Sequence, residues 1–565
     1  MRRAFALTTG LGALCFVFLS RYTTVLPWLS WWKSVRSEED EDLEASGYLI
    51  RTPECHIPAW DPFDPSVAHL YRKVADFVCP GRPSFLRVRP NAVLMADDAL
   101  LWRYYKLKHS QVKCTYREVY RTPNAPAHVA DDRYNLSAPR QLTFGKPLKV
   151  HHAIVNCFHD HKEVLVQHVP LVPLSPELEL KLTKLQESSE NSAAVKLNVL
   201  MVGVDSISNL NFERHMPRTK GFPKGCSWAV QLHGYTKIGD NTFPNIVALL
   251  TGHFLEYYWN ESMSRFTFDG LALRVERFRQ EGVPLTVRRG RALHLLERLY
   301  SSGALKNTLL VFFSDHGLRF GPIRSTFVGK LEERMPIMFL AFPEAFAQQY
   351  PAAVARLRTN TRRLTTPFDV HATLQHLASF PPEHPHRTMH GLSLFHGVPF
   401  NRSCDDAFIF PHWCTCQNRT VVPVNDPGVI NASHALVSAV NSQLESRAEL
   451  CSPLELDKVV DATVSQPNEK VLRFVRHYHD VIGRGVQLGK RVTAPLDYMV
   501  TVMVKPSSAL LEATIRYYEP TEQYVVLGDV SRLNMYGSQG ECISDAVLRK
   551  FCYCRTQVNT DRGPG

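Results

Sequence analysis

Three short pieces of the chain carry residue types suited to chemistry on an anionic ester. Asp205 closes an apolar run, Leu197 to Asp205 (LNVLMVGVD), and Asp315-His316-Gly317 closes a second, Asn307 to Ser314 (NTLLVFFS). Between them, Asp240-Asn241-Thr242-Phe243-Pro244-Asn245 reads as a loop entering a helix. Two carboxylates and an imidazole are a ligand set for zinc or another divalent cation. Thr242, expected as the N-cap of a helix starting at Phe243, would set its hydroxyl beside such an ion, with helix N–H groups facing an anionic substrate. A metal lowers the pKa of an adjacent hydroxyl and makes it a nucleophile. The product would be a phospho-threonine, released to water or to an acceptor. Asn241 would hydrogen-bond a non-bridging oxygen as charge builds up. Each piece has a plainer reading: an Asp after a strand as a turn former, a Thr before Phe-Pro-Asn as an ordinary cap, an Asp-His-Gly triplet as a loop. Their joint occurrence at strand ends and a helix start favours a metal site.

These residues need elements to hold them. Both apolar runs lack alternation, which is the pattern of strands buried on two faces, and ligands in open α/β sheets sit at the carboxyl ends of such strands. Met335 to Phe342 is a further strand candidate. Phe243–Leu250, Leu293–Tyr300 and Phe368–Leu377 read as helices, the first with Pro in its opening turn. From Val195 to about Phe400, strands and helices alternate, and this segment is the expected core. Before it, residues 50–194 form a cysteine-containing, β-rich module and linker, with a short helix possible in LELKLTKLQES. After it, residues 401–565 are cysteine-rich, and the runs YMVTVMV, EATIRYY and YVVLG argue for strands.

The N-terminus sets the expected compartment. Arg2-Arg3 precedes an uncharged segment, Ala4 to Ser20, about 25 Å long as a helix at roughly 1.5 Å per residue. That is near the lower limit for a bilayer crossing, and Tyr22, Trp28, Trp31 and Trp32 suit an interfacial belt. Residues 1–36 are read as an uncleaved signal anchor with its flank, favoured over a cleaved signal peptide, and residues 37–49 as an acidic stalk. The expected protein is single-pass type II, with its C-terminal part lumenal or extracellular, or else secreted. Twelve of the 13 cysteines lie beyond the anchor, which fits up to six disulfides in an oxidising compartment. The CTC and CYC spacers are shorter than zinc spacing, so disulfides are preferred there. Sequons at Asn135, Asn260, Asn401, Asn418 and Asn431 agree with that compartment. The net charge of +11 comes without a long basic block, so no nucleic-acid partner is expected.

At these residues the chain resembles the alkaline-phosphatase-like superfamily of sulfatases, nucleotide pyrophosphatases and phosphoethanolamine transferases. It is most similar to an animal family of unknown function with a sulfatase-like domain, common in nematodes and insects. LNVLMVGVDSISNLNFERHMPRT, HGYTKIGDNTFPNIVALLTG, SGALKNTLLVFFSDHGLRFGPIRSTFVGKLEERMP and RLTTPFDVHATL carry the resemblance, with CHIPAWDPFDP and GDVSRLNMYG outside the core. The resemblance implies an α/β fold, an alkaline-phosphatase-like three-layer sandwich around a mostly parallel sheet, with disulfide-tied N- and C-terminal extensions. It also implies Asp205, Thr242, Asp315 and His316 as the metal-and-nucleophile set, with one or two divalent ions, zinc favoured. Sulfatases carry a Cys or Ser that becomes formylglycine where this chain has Thr242, and an Arg where it has Ile246. Relatives with two metals carry an Asp and a His in a longer insert between the nucleophile helix and the Asp-His-Gly strand. Here the connection is shortened between 252 and 302; Asp269 and His294 fit surface positions better than ligand roles. His371 and His390 are the remaining candidates for a further ligand. The expected function is a metal-dependent phosphoric-ester hydrolase or phosphotransferase. The alternatives are a non-catalytic glycosylated scaffold and, third, a sulfatase.

Overall fold

The computed structural model describes residues 47–72, 81–122, 133–189, 197–221, 229–257, 292–378, 386–416, 419–465, 495–545 and 547–555. The expected anchor, most of the stalk, Cys15, Cys79, Cys226, Asp269, Asn260 and Asn418 lie outside the described residues. No helix among the described residues is long and apolar enough to cross a membrane.

The core is a four-stranded sheet with the spatial order Asn198–Gly203, Thr308–Phe313, Met338–Ala341, Ala229–Gln231. All six residues of Thr308–Phe313 are buried, as an unalternated apolar run requires when both faces are covered. Leu309, Val311 and Phe313 enter one cluster with Leu249, Val370 and Leu374. Leu310 and Phe312 enter another with Phe212 and Leu296. The helices Thr242–Thr251 and Pro367–Leu377 therefore lie on one face of the sheet, and Asn209–His215 and Ala292–Ser301 on the other.

Two expectations need correction. Asn198–Gly203 is not buried on both faces: among the described strands it pairs on one side only, and Val202 alone of its six residues is fully buried. Nor is the described sheet mostly parallel. Asn198–Gly203 and Thr308–Phe313 are parallel, but Met338–Ala341 is antiparallel to both of its neighbours. The helix in the connection before it, Phe327–Arg334, buries Lys330, Glu332, Glu333 and Arg334. Its Lys330 and Arg334 pair with Asp461 and Glu512 of the C-terminal sheet, and the chain returns to the core sheet antiparallel.

The N-terminal hairpin, Tyr48–Thr52 with Cys55–Pro58, packs Ile50 and Ile57 against Ile238, Ala248, Phe368 and Trp413. Tyr48 and Leu49, expected at the end of the stalk, are already in this hairpin. The described residues between 86 and 170, where a β-rich module was expected, form antiparallel sheets, and Cys114–Cys157 joins two paired strands within them. The LELKLTKLQES segment lies in the helix Pro176–Ser189.

The C-terminal region is a five-stranded antiparallel sheet of Thr420–Val421, Glu455–Ser465, Leu496–Lys505, Ala509–Tyr518 and Gln523–Arg532. Leu511, Ala513 and Ile515 pack with Leu436 and Val440 of the helix Pro427–Leu444. The alternating Glu512, Thr514 and Arg516 are equally buried but polar, and Glu512 meets the core. All ten described cysteines are paired, as Cys55–Cys416, Cys114–Cys157, Cys404–Cys414, Cys451–Cys552 and Cys542–Cys554. The CTC and CYC cysteines are thus in disulfides. Asn401 and Asn431 are exposed and Asn135 half-buried.

Candidate active site

Parallel pairing sets the site. Gly203 stands opposite Phe313, so the chain leaves both strands at the same level and Asp205 and Asp315 emerge side by side. The ligand atoms of Asp205, Asp315 and His316 all lie within 4.8 Å of one another. Asp315 and His316 are buried, whereas Asp205 is exposed, so the group has an open side. Ser206 ties the two carboxylates together: its N–H donates to Asp315 Oδ1 (3.2 Å) and its hydroxyl to Asp205 Oδ1 (2.9 Å). It does so at φ +62°, a left-handed conformation that is strained for a residue with a Cβ.

His316 Nδ1 lies 2.7 Å from the Gly317 carbonyl, so Nδ1 carries the proton and donates it there. Nε2 is left as a lone pair, 3.2 Å from Asp315 Oδ2 and 3.7 Å from Asp205 Oδ1. Asp315 Oδ2 is buried with no hydrogen-bond partner. A lone pair facing carboxylate oxygens at these distances is repulsive unless a proton on Nε2 or a metal cation lies among them. The donor set, two oxygens and one imidazole nitrogen, fits a divalent metal such as zinc. Burial raises the Asp315 carboxyl, but His316, the Thr242 hydroxyl and the Ser206 amide outweigh it and hold it below the ordinary range. Burial pushes the His316 imidazole down against the pull of Asp315, with Lys237 adding to the push. Both groups are therefore in their ligand forms at neutral pH. Gly317 is required by packing: a Cβ there would lie 2.1 Å from the Glu332 carbonyl oxygen.

Thr242 stands opposite, exposed, its Oγ1 3.4 Å from His316 Nε2. The helix it belongs to spans Thr242–Thr251, and its N-cap is Asn241, whose side chain accepts from the Phe243 N–H at 3.1 Å. The expected cap at Thr242 is thus one residue late. With a cap at Thr242, the second helical position would be Pro244, which has no N–H to give. Asn241 uses its Oδ1 for the cap, so its Nδ2 is the end that the expected contact with a substrate oxygen would use. Asn245, 1% exposed, holds the loop in place. Its Oδ1 accepts from Ile238 and Gly239 N–H, and its Nδ2 donates to the Gly239 and Asn241 carbonyls. Gly239 lets the loop close on Pro244, where a Cβ would meet the ring at 2.6 Å.

His371 and His390 do not join this group. Both lie at the far end of the Thr242–Thr251 helix, about 15 Å away at roughly 1.5 Å per residue. His390 Nδ1 donates to the Gly252 carbonyl at 2.9 Å. His371 faces the Leu249 and Leu250 carbonyls and packs against Gly252. His294 lies in the helix Ala292–Ser301. Sequence reasoning missed Ser206 and Asn245; a Ser directly after a strand-end Asp and an Asn in the first turn after Pro were the signals available.

The protein is of the mixed α/β class, with a carboxylate–carboxylate–imidazole group at the ends of two parallel strands, facing a hydroxyl at a helix start. The protein family of unknown function DUF229 matches residues 88–283 and 290–460, more than half of the chain and including all four of these residues. The chain belongs to this family, a family of sulfatase-like proteins. No curated protein matches it.

Proposed function

We propose that the chain is a metal-dependent phosphoric-ester hydrolase or phosphotransferase, with an alkaline-phosphatase-like core of the kind found in animal sulfatase-like proteins. The observation that carries this reading is the grouping of Asp205, Asp315 and His316, with His316 Nε2 beside the orphaned buried Asp315 Oδ2 and Thr242 Oγ1 facing the imidazole. Asp205, Asp315 and His316 would hold the ion, whose charge stabilises an anionic substrate and lowers the pKa of a neighbouring hydroxyl. Thr242 Oγ would attack phosphorus, forming the Thr242 Oγ–P bond as the bond to the leaving oxygen breaks. The leaving oxygen takes up a proton. Water or an acceptor hydroxyl then attacks phosphorus, releases phosphate or the transferred ester, and restores the Thr242 hydroxyl. Asn241, whose carbonyl end caps the helix, would offer its NH2 end to a non-bridging oxygen.

Membership of a sulfatase-like family does not extend to formylglycine chemistry, because that group is made from Cys or Ser and residue 242 is Thr. A non-catalytic, glycosylated scaffold is the second reading; the single carboxylate–imidazole group among the described residues favours it over a two-metal enzyme. The expected location is the lumen or cell surface, with membrane attachment through residues 1–36. The test is zinc analysis of the purified chain with a screen of phosphomonoesters, phosphodiesters and sulfate esters. Zinc at one per chain and phosphoester turnover that vanishes in Asp315→Asn support the enzyme. Folded protein with neither zinc nor turnover leaves the scaffold.

A further inference from the structure

We propose that Lys237 is a positioning residue for Thr242, and that the C-terminal sheet is part of the active-site assembly through a chain of buried charged side chains ending at the Asp240 carbonyl. This rests on the reading of Thr242 as the nucleophile. The chain starts at Glu512 on the Ala509–Tyr518 strand. Glu512 accepts from Arg324 Nη2 at 2.8 Å and from Arg334 Nη2 at 3.1 Å. Both guanidinium groups also face Glu333 Oε2, at 3.3 and 3.6 Å. Glu333 Oε1 pairs with the Lys237 amino group, and Lys237 Nζ donates to the Asp240 carbonyl at 3.0 Å. Asp240 immediately precedes Asn241, the cap, and Thr242. The five side chains named are at most 2% exposed.

Two features set this chain apart from ordinary fold stabilisation. Replacing a buried ion pair by apolar side chains of similar size is often neutral for stability, so stability alone does not account for these charges. They also end on the backbone oxygen of the residue before the cap, a contact no apolar side chain at 237 would supply. Lys237 is held laterally by the Trp413 ring, 3.8 Å from Nζ. Trp413 is itself fixed by the neighbouring Cys404–Cys414 and Cys55–Cys416 disulfides. The Asp240 carboxylate is anchored by Arg319 at 2.9 Å, Ser531 at 3.4 Å and Lys550 at 3.8 Å. Glu512, Ser531 and Lys550 lie beyond the last residue of the family match.

The test is the double variant Lys237→Met/Glu333→Gln in the full chain, which removes the Lys237 amino group and its carboxylate partner together. Native-state hydrogen exchange at the Thr242, Phe243 and Asn245 amides is expected to quicken by about tenfold or more, with the Thr308–Phe313 amides unchanged. On a phosphoester, kcat is expected to fall about 10- to 100-fold with KM within about threefold, and zinc content to stay at the wild-type level. Lys237→Arg should restore part of both losses. Glu512→Gln, which keeps shape, should give smaller changes of the same sign and decides the matter if the double variant does not fold. Wild-type exchange at the three amides overturns the proposal, as does equal quickening in the central strand, which marks a merely structural role. If the wild-type chain turns over no phosphoester, exchange alone still decides the positioning claim, and only the nucleophile reading falls.

Discussion

The Thr242–Thr251 helix has imidazoles at both ends. At its N-terminal end, His316 spends Nδ1 on a carbonyl and turns the Nε2 lone pair toward two carboxylates and the Thr242 hydroxyl. At its C-terminal end, His371 and His390 give protons to helix or cap carbonyls. The His390 ring packs among Phe254, Phe368 and Phe408 at 4.9–5.1 Å. His253 stacks on Tyr257 at 4.2 Å. Helix polarity accounts for the contrast. The N-terminal end presents N–H groups and a positive field that suits lone pairs and anions; the C-terminal end presents bare carbonyls that need donors. The same residue type therefore reads as a ligand at one end and as a cap at the other, and the direction of its lone pair decides which.

The largest effect that would test this contrast is at Thr242. Thr242→Ala should lower phosphoester turnover on the order of 1000-fold while zinc per chain stays at the wild-type level. Turnover at the wild-type rate breaks the nucleophile assignment. Next comes Asp315→Asn, which keeps the shape of the side chain but withdraws the orphaned anionic oxygen. Zinc affinity, measured by competition with a chromophoric chelator, should drop by at least about 100-fold. Unchanged affinity would show that the N-terminal end is no more a metal site than the C-terminal one.

Much of the N-terminal end was legible in the sequence because its parts are local. An apolar run closed by Asp reads as a strand end whatever pairs with it, so Asp205, Asp315 and His316 follow from short windows. What failed depends on distance or on competition between similar residues. Ser206 matters because it meets Asp315, 109 residues away, and Asn245 because the loop before it curls back. Asn241 and Thr242 are both good cap formers, and the missing N–H of Pro244 decided between them. Strand direction was misjudged because the apolar pattern of Met338–Ala341 is the same in either sense. His371 and His390 were counted by type, with nothing in the sequence to give their orientation.

The C-terminal end makes its own prediction about acid. Burial pushes the His371 imidazole down to about 4, from an ordinary 6.5, against the pull of the Leu249 carbonyl. Between those values the unfolded chain binds a proton that the folded chain refuses. Stability is therefore complete above about pH 6.5 and falls as pH falls toward 4, by up to roughly 3 kcal/mol from this group. Thermal melts of wild type and His371→Gln across this window should converge or cross on acidification; parallel curves would mean that His371 titrates normally. A smaller loss is expected from Gly252→Ala. Gly252 has φ +71°, and a Cβ there would lie 2.6 Å from His371 Cδ2. About 1–3 kcal/mol of destabilisation follows from strain and overpacking together, read as a lower Tm with zinc content intact.

The smallest effect concerns His390, and it bears most directly on the contrast between the two ends. If His390 is a cap, what matters is one N–H aimed at the Gly252 carbonyl and a flat body among aromatic rings. Gln supplies a donor of similar reach but a poorer packing surface, so His390→Gln should cost about 1 kcal/mol or less. His390→Leu keeps the packing but leaves the carbonyl bare, and should cost more, about 1–2 kcal/mol. Neither change should alter zinc per chain, because the ring nitrogen nearest the helix is already committed to a proton and the Asp205–Asp315–His316 group lies a helix length away. A ligand would behave in the opposite order: Gln and Leu would both release zinc, and the difference between them in stability would vanish once zinc was removed. Zinc content and melts of the two variants, with and without chelator, separate these outcomes. Loss of zinc in either would extend the metal site to the C-terminal end and erase the distinction that helix polarity draws.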